Sequence, residues 1–152
     1  MVRWIIGFVV AQAAMVVLGS IAHSYFVQEA WSMAAGQAEG AGPVTLSIAE
    51  RLNWIGHDLI GLQPLYGLLT GVALLIAFLA ATLLARFTGL RAIVFPVFGA
   101  AAIFVLFAVI KWQLGTVGVF GARGEMGLGA QMLAGLLAGA LFATLTRPQQ
   151  SH

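Results

Sequence analysis

Four apolar stretches, approximately residues 4–27, 59–85, 92–110 and 128–145, occupy most of this chain, and no Asp, Glu, Lys or Arg lies deep inside any of them. A hydrocarbon core about 30 Å thick is crossed by roughly 20 helical residues, and each stretch comes close to that length or exceeds it. In lipid the backbone must satisfy its own hydrogen bonds, which leaves the helix as the natural spanning form for runs this long. The expectation is an all-α integral membrane protein: a four-transmembrane-helix bundle forming one domain over residues 1–152. With 61% hydrophobic residues, 8% charged residues and a mean hydropathy of +1.01, the chain lies well outside the soluble range.

The sparse charges indicate an orientation. Arg3, Arg86, Arg91 and Arg147 flank one set of helix ends with no acidic residue among them. Glu29, Glu39, Glu50, Asp58 and Glu125 accompany Arg51, Lys111 and Arg123 at the other. The positive-inside bias places both termini in the cytoplasm of an inner (plasma) membrane of bacterial type. Trp31, Trp54 and Trp112 then fall on the outer side, where an aromatic belt is expected. Arg3, the following apolar run and Ser20-Ile21-Ala22 also fit a signal peptide with a small-x-small cleavage site, although the run is long for one. With no Lys/Arg cluster there is no nucleic-acid surface. With no cysteine, disulfides, thiol catalysis and thiolate metal sites are excluded.

The longest connection, 28–58, opens with Gln28-Glu29 and becomes Gly/Ala-rich. Ser47-Ile48-Ala49-Glu50 within it has capping-box spacing. Apolar residues at 48, 52, 55, 59 and 62 follow at helical spacing, predicting a short amphipathic interfacial helix over about 47–62 before the second span. Pro64 lacks an amide proton and predicts a kink between the two. The Gly-rich 115–124 connection is expected to fold against the bundle mouth, and the polar tail 148–152 to be disordered.

Small residues mark helix contacts in lipid. Gly127, Gln131, Gly135, Gly139 and Ala143 recur every four residues; Gly67 and Gly71 do the same on the second span. Gly7, Ala11, Met15, Gly19 and His23 form a drifting face on the first. These stripes fit packing within the chain, self-association or a larger membrane complex.

Polar residues at membrane depth are costly and face inward. Gln12 and His23 share a face of the first helix, three turns apart. His57, Asp58, Gln63, Tyr66 and Thr70 lie toward the same outer end, with Gln131 opposite. A polar outer-leaflet pocket closed below by Leu, Ala and Phe is expected. His23, His57, Asp58 and Gln131 are its candidate ligand-binding residues, with Glu50, Tyr66, Lys111 and Arg123 at the rim. Each also has a purely structural reading: an interhelical hydrogen bond for the glutamines, solvation for the histidines, and an Asp58–Arg51 ion pair at seven-residue spacing.

Four function classes follow. The leading one is a non-catalytic accessory or small-molecule/lipid-binding membrane subunit that needs no cofactor. A redox protein could hold a haem b with His23 and His57 as axial ligands, or a quinone in the same pocket. An oligomeric channel or transporter is a third, although the mid-membrane carboxylate of proton-coupled carriers is lacking. An enzyme at the outer face is the fourth, but there is no HExxH, GxSxG, P-loop or histidine-box spacing.

Overall fold

The computed structural model describes residues 2–38, 40, 42–115 and 124–147, with the side chains of all of these except 62 and 63. Four helices account for nearly all of them: α1 Val2–Ala38, α2 Ile48–Thr88, α3 Arg91–Leu114 and α4 Glu125–Leu145. Each contains a segment long and apolar enough to cross a membrane; in α2 that segment is Pro64–Thr88. The chain is thus a multi-pass helical bundle. α1 packs on α2 and α4, and α3 packs on the same two, so the helices form a ring in chain order. Within the spans only 28–39% of residues are buried by the bundle, which leaves most of the apolar surface for lipid.

Two ends can be told apart. At the arginine end, α2 stops at Gly89, whose φ of 70° is one a side chain rarely adopts, and α3 begins two residues later. The Arg91 guanidinium donates to the Thr146 carbonyl at 3.3 Å and hydroxyl at 2.9 Å, and it lies 4.9 Å from the centre of the Phe95 ring. It thereby holds the last carbonyls of α4 with a cation, as the helix dipole favours. Just inside this end, Phe78 of α2, Phe95 of α3 and Phe142 of α4 meet with ring centroids 4.5–5.8 Å apart. Trp4 and Phe8 of α1 close the cluster. This half of the bundle is filled by aromatic rings, as its lack of polar residues leads one to expect.

α3 and α4 approach through backbone contact. A Cβ added to Gly99 would lie 2.2 Å from the Gly135 carbonyl oxygen, and one added to Gly139 would lie 2.2 Å from that of Phe95. Gly135 and Gly139 of the four-residue α4 stripe therefore form the seam against α3, while Gln131, one turn above, turns to α1 and α2.

The other end differs from the sequence expectation in extent. α1 does not stop near residue 27 but continues to Ala38. The helix expected at the capping box does begin at Ile48, and it runs on through Pro64, so interfacial segment and second span are one 41-residue element. At 1.5 Å per residue α1 is about 55 Å long and α2 about 60 Å, against about 31 Å for α4. The Gly19 carbonyl bonds Gln131, which sets their relative height. From there α4 has six residues left, about 9 Å, whereas α1 has nineteen, about 28 Å. The α1–α2 hairpin therefore overshoots α4 by about 20 Å. The glycine-rich 115–124 connection falls largely outside the described residues, and the 148–152 tail entirely so.

The α3–α4 seam yields a test. Gly139→Leu forces a side chain into backbone and should lower bundle stability by about 1–3 kcal/mol or more. Gly129→Ala, with open space around it, should leave stability unchanged or slightly raised. Thermal unfolding in detergent distinguishes the two.

Candidate functional site

The polar residues of α1 stack in layers against α2 and α4. In the deepest, Gln12 Nε2 donates to the Gly67 carbonyl at 2.8 Å and to Thr70 Oγ1 at 3.1 Å, and Thr70 donates onward to the Tyr66 carbonyl at 2.8 Å. One layer up, the fully buried Gln131 joins three helices. Its Oε1 accepts from the Tyr66 hydroxyl at 2.6 Å, and its Nε2 donates to the Gly19 carbonyl at 2.9 Å. Glycine at 19 is required by this contact: a Cβ there would stand 1.8 Å from the Tyr66 oxygen.

The next layer is ionisable. Ser24, completely buried, donates to Asp58 Oδ2 at 2.5 Å. His23 is buried on the adjoining position of α1 and feels the Asp58 carboxylate electrostatically. Beyond it, Gln28 Nε2 donates to the Arg51 carbonyl at 3.2 Å, and Arg51 faces Glu29 at 3.7 Å. Ser32 donates to the Val44 carbonyl at 2.6 Å. Between the Gln12–Gly67 and Gln28–Arg51 contacts each helix advances sixteen residues, so the two stay paired over about 24 Å.

On the far side of Asp58 lies a cleft of about 240 Å³ lined by Asn53, Trp54, His57 and Asp58. The indole of Trp54 packs on that of Trp31, centroids 5.7 Å apart. Ser24 lies about 8 Å above the Gly19 carbonyl, level with the first turn of α4. The Asp58 layer thus sits at the end of the span, and the cleft opens just above it. A second hollow of about 370 Å³, lined by Ile21, Tyr25, Ala130 and other apolar side chains, faces sideways between α1 and α4.

The structure brings some sequence candidates together and separates others. Asp58 adjoins both histidines, with His23 inside and His57 exposed beside it in the cleft. Tyr66 and Gln131 pair with each other in the interior, below that cleft, not at a rim. Asp58 and Arg51 do not pair; each has a partner on α1 instead. Lys111 is exposed at the end of α3. Arg123 lies outside the described residues. Glu50 is fully exposed and completes the α2 capping box, accepting from the Ser47 amide and hydroxyl while Ser47 accepts from its own amide. The Ser47 hydroxyl, and then its amide, hold the Glu50 carboxyl below its ordinary value of 4.5. Sequence reading missed Ser24, Gln28, Ser32, Asn53 and the cleft-lining role of Trp54. Ser20, Ser24, Gln28 and Ser32 recur every four residues, a signal that α1 continues as a helix. Among the described residues no cluster of three or more His, Asp or Glu could hold a metal ion.

The chain matches no protein-family model, no curated protein and no solved structure.

Three outcomes are expected. Tyr66→Phe strands the Gln131 carbonyl and should cost about 1–2 kcal/mol. Gly19→Ala should cost more, and combining it with Tyr66→Phe, which removes the clashing oxygen, should recover part of that loss in a double-mutant cycle. Because the folded Glu50 value is depressed, its stabilisation of the α2 cap is complete above the unfolded carboxyl's range and is lost as pH falls through the folded value. Amide exchange at the start of α2 should accelerate relative to a neutral-pH reference over that acidic window, and Glu50→Ala should abolish the pH dependence.

Proposed function

We propose that this is a non-catalytic membrane protein, with both termini cytoplasmic, that binds a small polar molecule or a lipid headgroup at the outward end of its α1–α2 hairpin. The observation that carries this reading is the Ser24–Asp58–His23 layer, buried on one side and opening on the other into the cleft of Asn53, Trp54 and His57. A carboxylate and an imidazole are expensive at the membrane border, and the deeper layers of the bundle are joined by uncharged side chains alone. The cleft volume is below the roughly 300–1,000 Å³ of sites for drug-sized ligands. That suits a headgroup or small metabolite and argues against a porphyrin between the two histidines in that cleft.

The accessory-subunit reading has its own support. The hairpin overshoots the rest of the bundle and exposes Met33, Ile48 and Leu52, a surface that a larger partner would cover.

Native mass spectrometry of the protein extracted in mild detergent separates these readings. The expected result is a retained lipid or small molecule, lost in Asn53→Ala/His57→Ala, two exposed positions that do not hold the fold. An unchanged ligand complement in that variant overturns the binding reading. A Soret band lost in His23→Ala would replace it with the haem protein.

A further inference from the structure

The four cleft-lining side chains differ sharply in what they offer a ligand. Asp58 supplies a carboxylate, already oriented from behind by Ser24. Trp54 supplies an aromatic ring, fixed by its contact with Trp31. Asn53 supplies an amide oxygen, and His57 an imidazole open to solvent. Among the described residues no Lys or Arg lines the cleft. The nearest such residue along α2, Arg51, is engaged by Glu29 at 3.7 Å and by Gln28 at 3.4 Å. A phosphate or carboxylate entering the cleft would meet a like charge, with no cation among the described lining residues to offset it.

We infer that the cleft of Asn53, Trp54, His57 and Asp58 is a binding site for an ammonium group, with Asp58 as counter-ion and Trp54 as its aromatic wall. This rests on the cleft being the binding site at all. A carboxylate favours an organic cation directly. The indole adds attraction through its ring face, at about 0.5–1 kcal/mol in exposed positions and about 2 or more when water is excluded. Asn53 and His57 can accept hydrogen bonds from a primary ammonium, which a quaternary one cannot donate; a primary amine therefore gains two contacts. The cleft's height has a further consequence. Asp58 sits at the end of the span, level with the start of α4, and Trp54 lies one turn farther out. That is headgroup depth in a bilayer, where indoles concentrate. An ethanolamine headgroup presents a primary ammonium there, and a free amine from the aqueous side presents the same chemistry.

The test titrates two ammonium sources against an anionic competitor. Protein is reconstituted into nanodiscs of phosphatidylglycerol, with Trp4 and Trp112 replaced by Phe so that Trp31 and Trp54 report. Phosphatidylethanolamine is introduced in one arm and free ethanolamine is titrated in the other. A saturable change in tryptophan emission is expected in at least one arm, and which arm responds identifies the source. Asp58→Asn, which keeps a carbonyl for Ser24, should weaken it at least tenfold. His57→Ala should weaken it several-fold. Lys111→Gln should leave it unchanged. Thermal unfolding confirms that each variant is folded, and His57→Ala remains a valid probe should Asp58→Asn fail. An Asp58→Asn protein that titrates like the parent overturns the assignment. Should phosphatidylglycerol be retained in an Asn53- and His57-dependent manner while neither amine binds, the headgroup site stands and the ammonium assignment falls. Should nothing bind in a cleft-dependent way, both fall.

Discussion

A glutamine amide buried among lipid-facing helices has no water to satisfy it, and Gln131 meets that constraint by joining three helices at once. Its carbonyl takes the Tyr66 hydroxyl of α2 and its amide reaches the Gly19 carbonyl of α1. Both bonds demand that α1 come very near the Tyr66–Gln131 pair, which only a glycine at 19 allows. Single interhelical bonds of this kind are worth about 0.6 kcal/mol on average, so their value lies less in strength than in register. They set the height and rotation of α1 and α2 against α4. Every layer above inherits that setting, including the placement of Ser24 opposite Asp58.

The bundle is polarised along its axis as a result. Toward the arginine end, Phe78, Phe95 and Phe142 pack as rings with no polar atom among them. Toward the hairpin end, polar groups accumulate layer by layer: glutamine, then tyrosine with glutamine, then serine with aspartate and histidine, then arginine with glutamate. The order follows the cost of burial. Neutral groups lie deepest, and ionisable ones come only where headgroups and water are within reach. The proposed binding cleft lies on this gradient where a charge first becomes tolerable and is still shielded on one side.

Much of this was legible in residue spacing. Four spans follow from four uncharged apolar runs, the α4 seam from Gly135 and Gly139 within a four-residue stripe, and the start of α2 from Ser47 and Glu50. The inward direction of His23 follows from sharing a face with Gly19. The length of α1 did not emerge, because Gln28-Glu29 after an apolar run looks like the end of a span. A helix need not end where lipid does when neighbouring backbone supplies partners: α2 supplies one for Gln28, and Val44 in the connection before it supplies one for Ser32. Pairings across helices were equally hidden. Asp58 could be placed on α2, but Ser24 and not Arg51 is its partner because the rotation of α1 against α2 is set by contacts far away in sequence. Tyr66, expected at a rim, lies in the interior for the same reason.

The central structural claim is that α1 leaves the hydrocarbon near Ser24 and continues as a paired helix beyond it. The absence of cysteine in the chain makes single-cysteine labelling of α1 direct. Val9, Val17, Met33 and Gln37 all face away from the bundle, so a label is excluded there only by lipid. In open membrane fragments, a water-soluble maleimide should leave Val9→Cys and Val17→Cys unmodified and react readily with Met33→Cys and Gln37→Cys. Protection at Met33 and Gln37 would contradict it, by burying the whole of α1 in lipid and placing the Asp58 layer far from any headgroup.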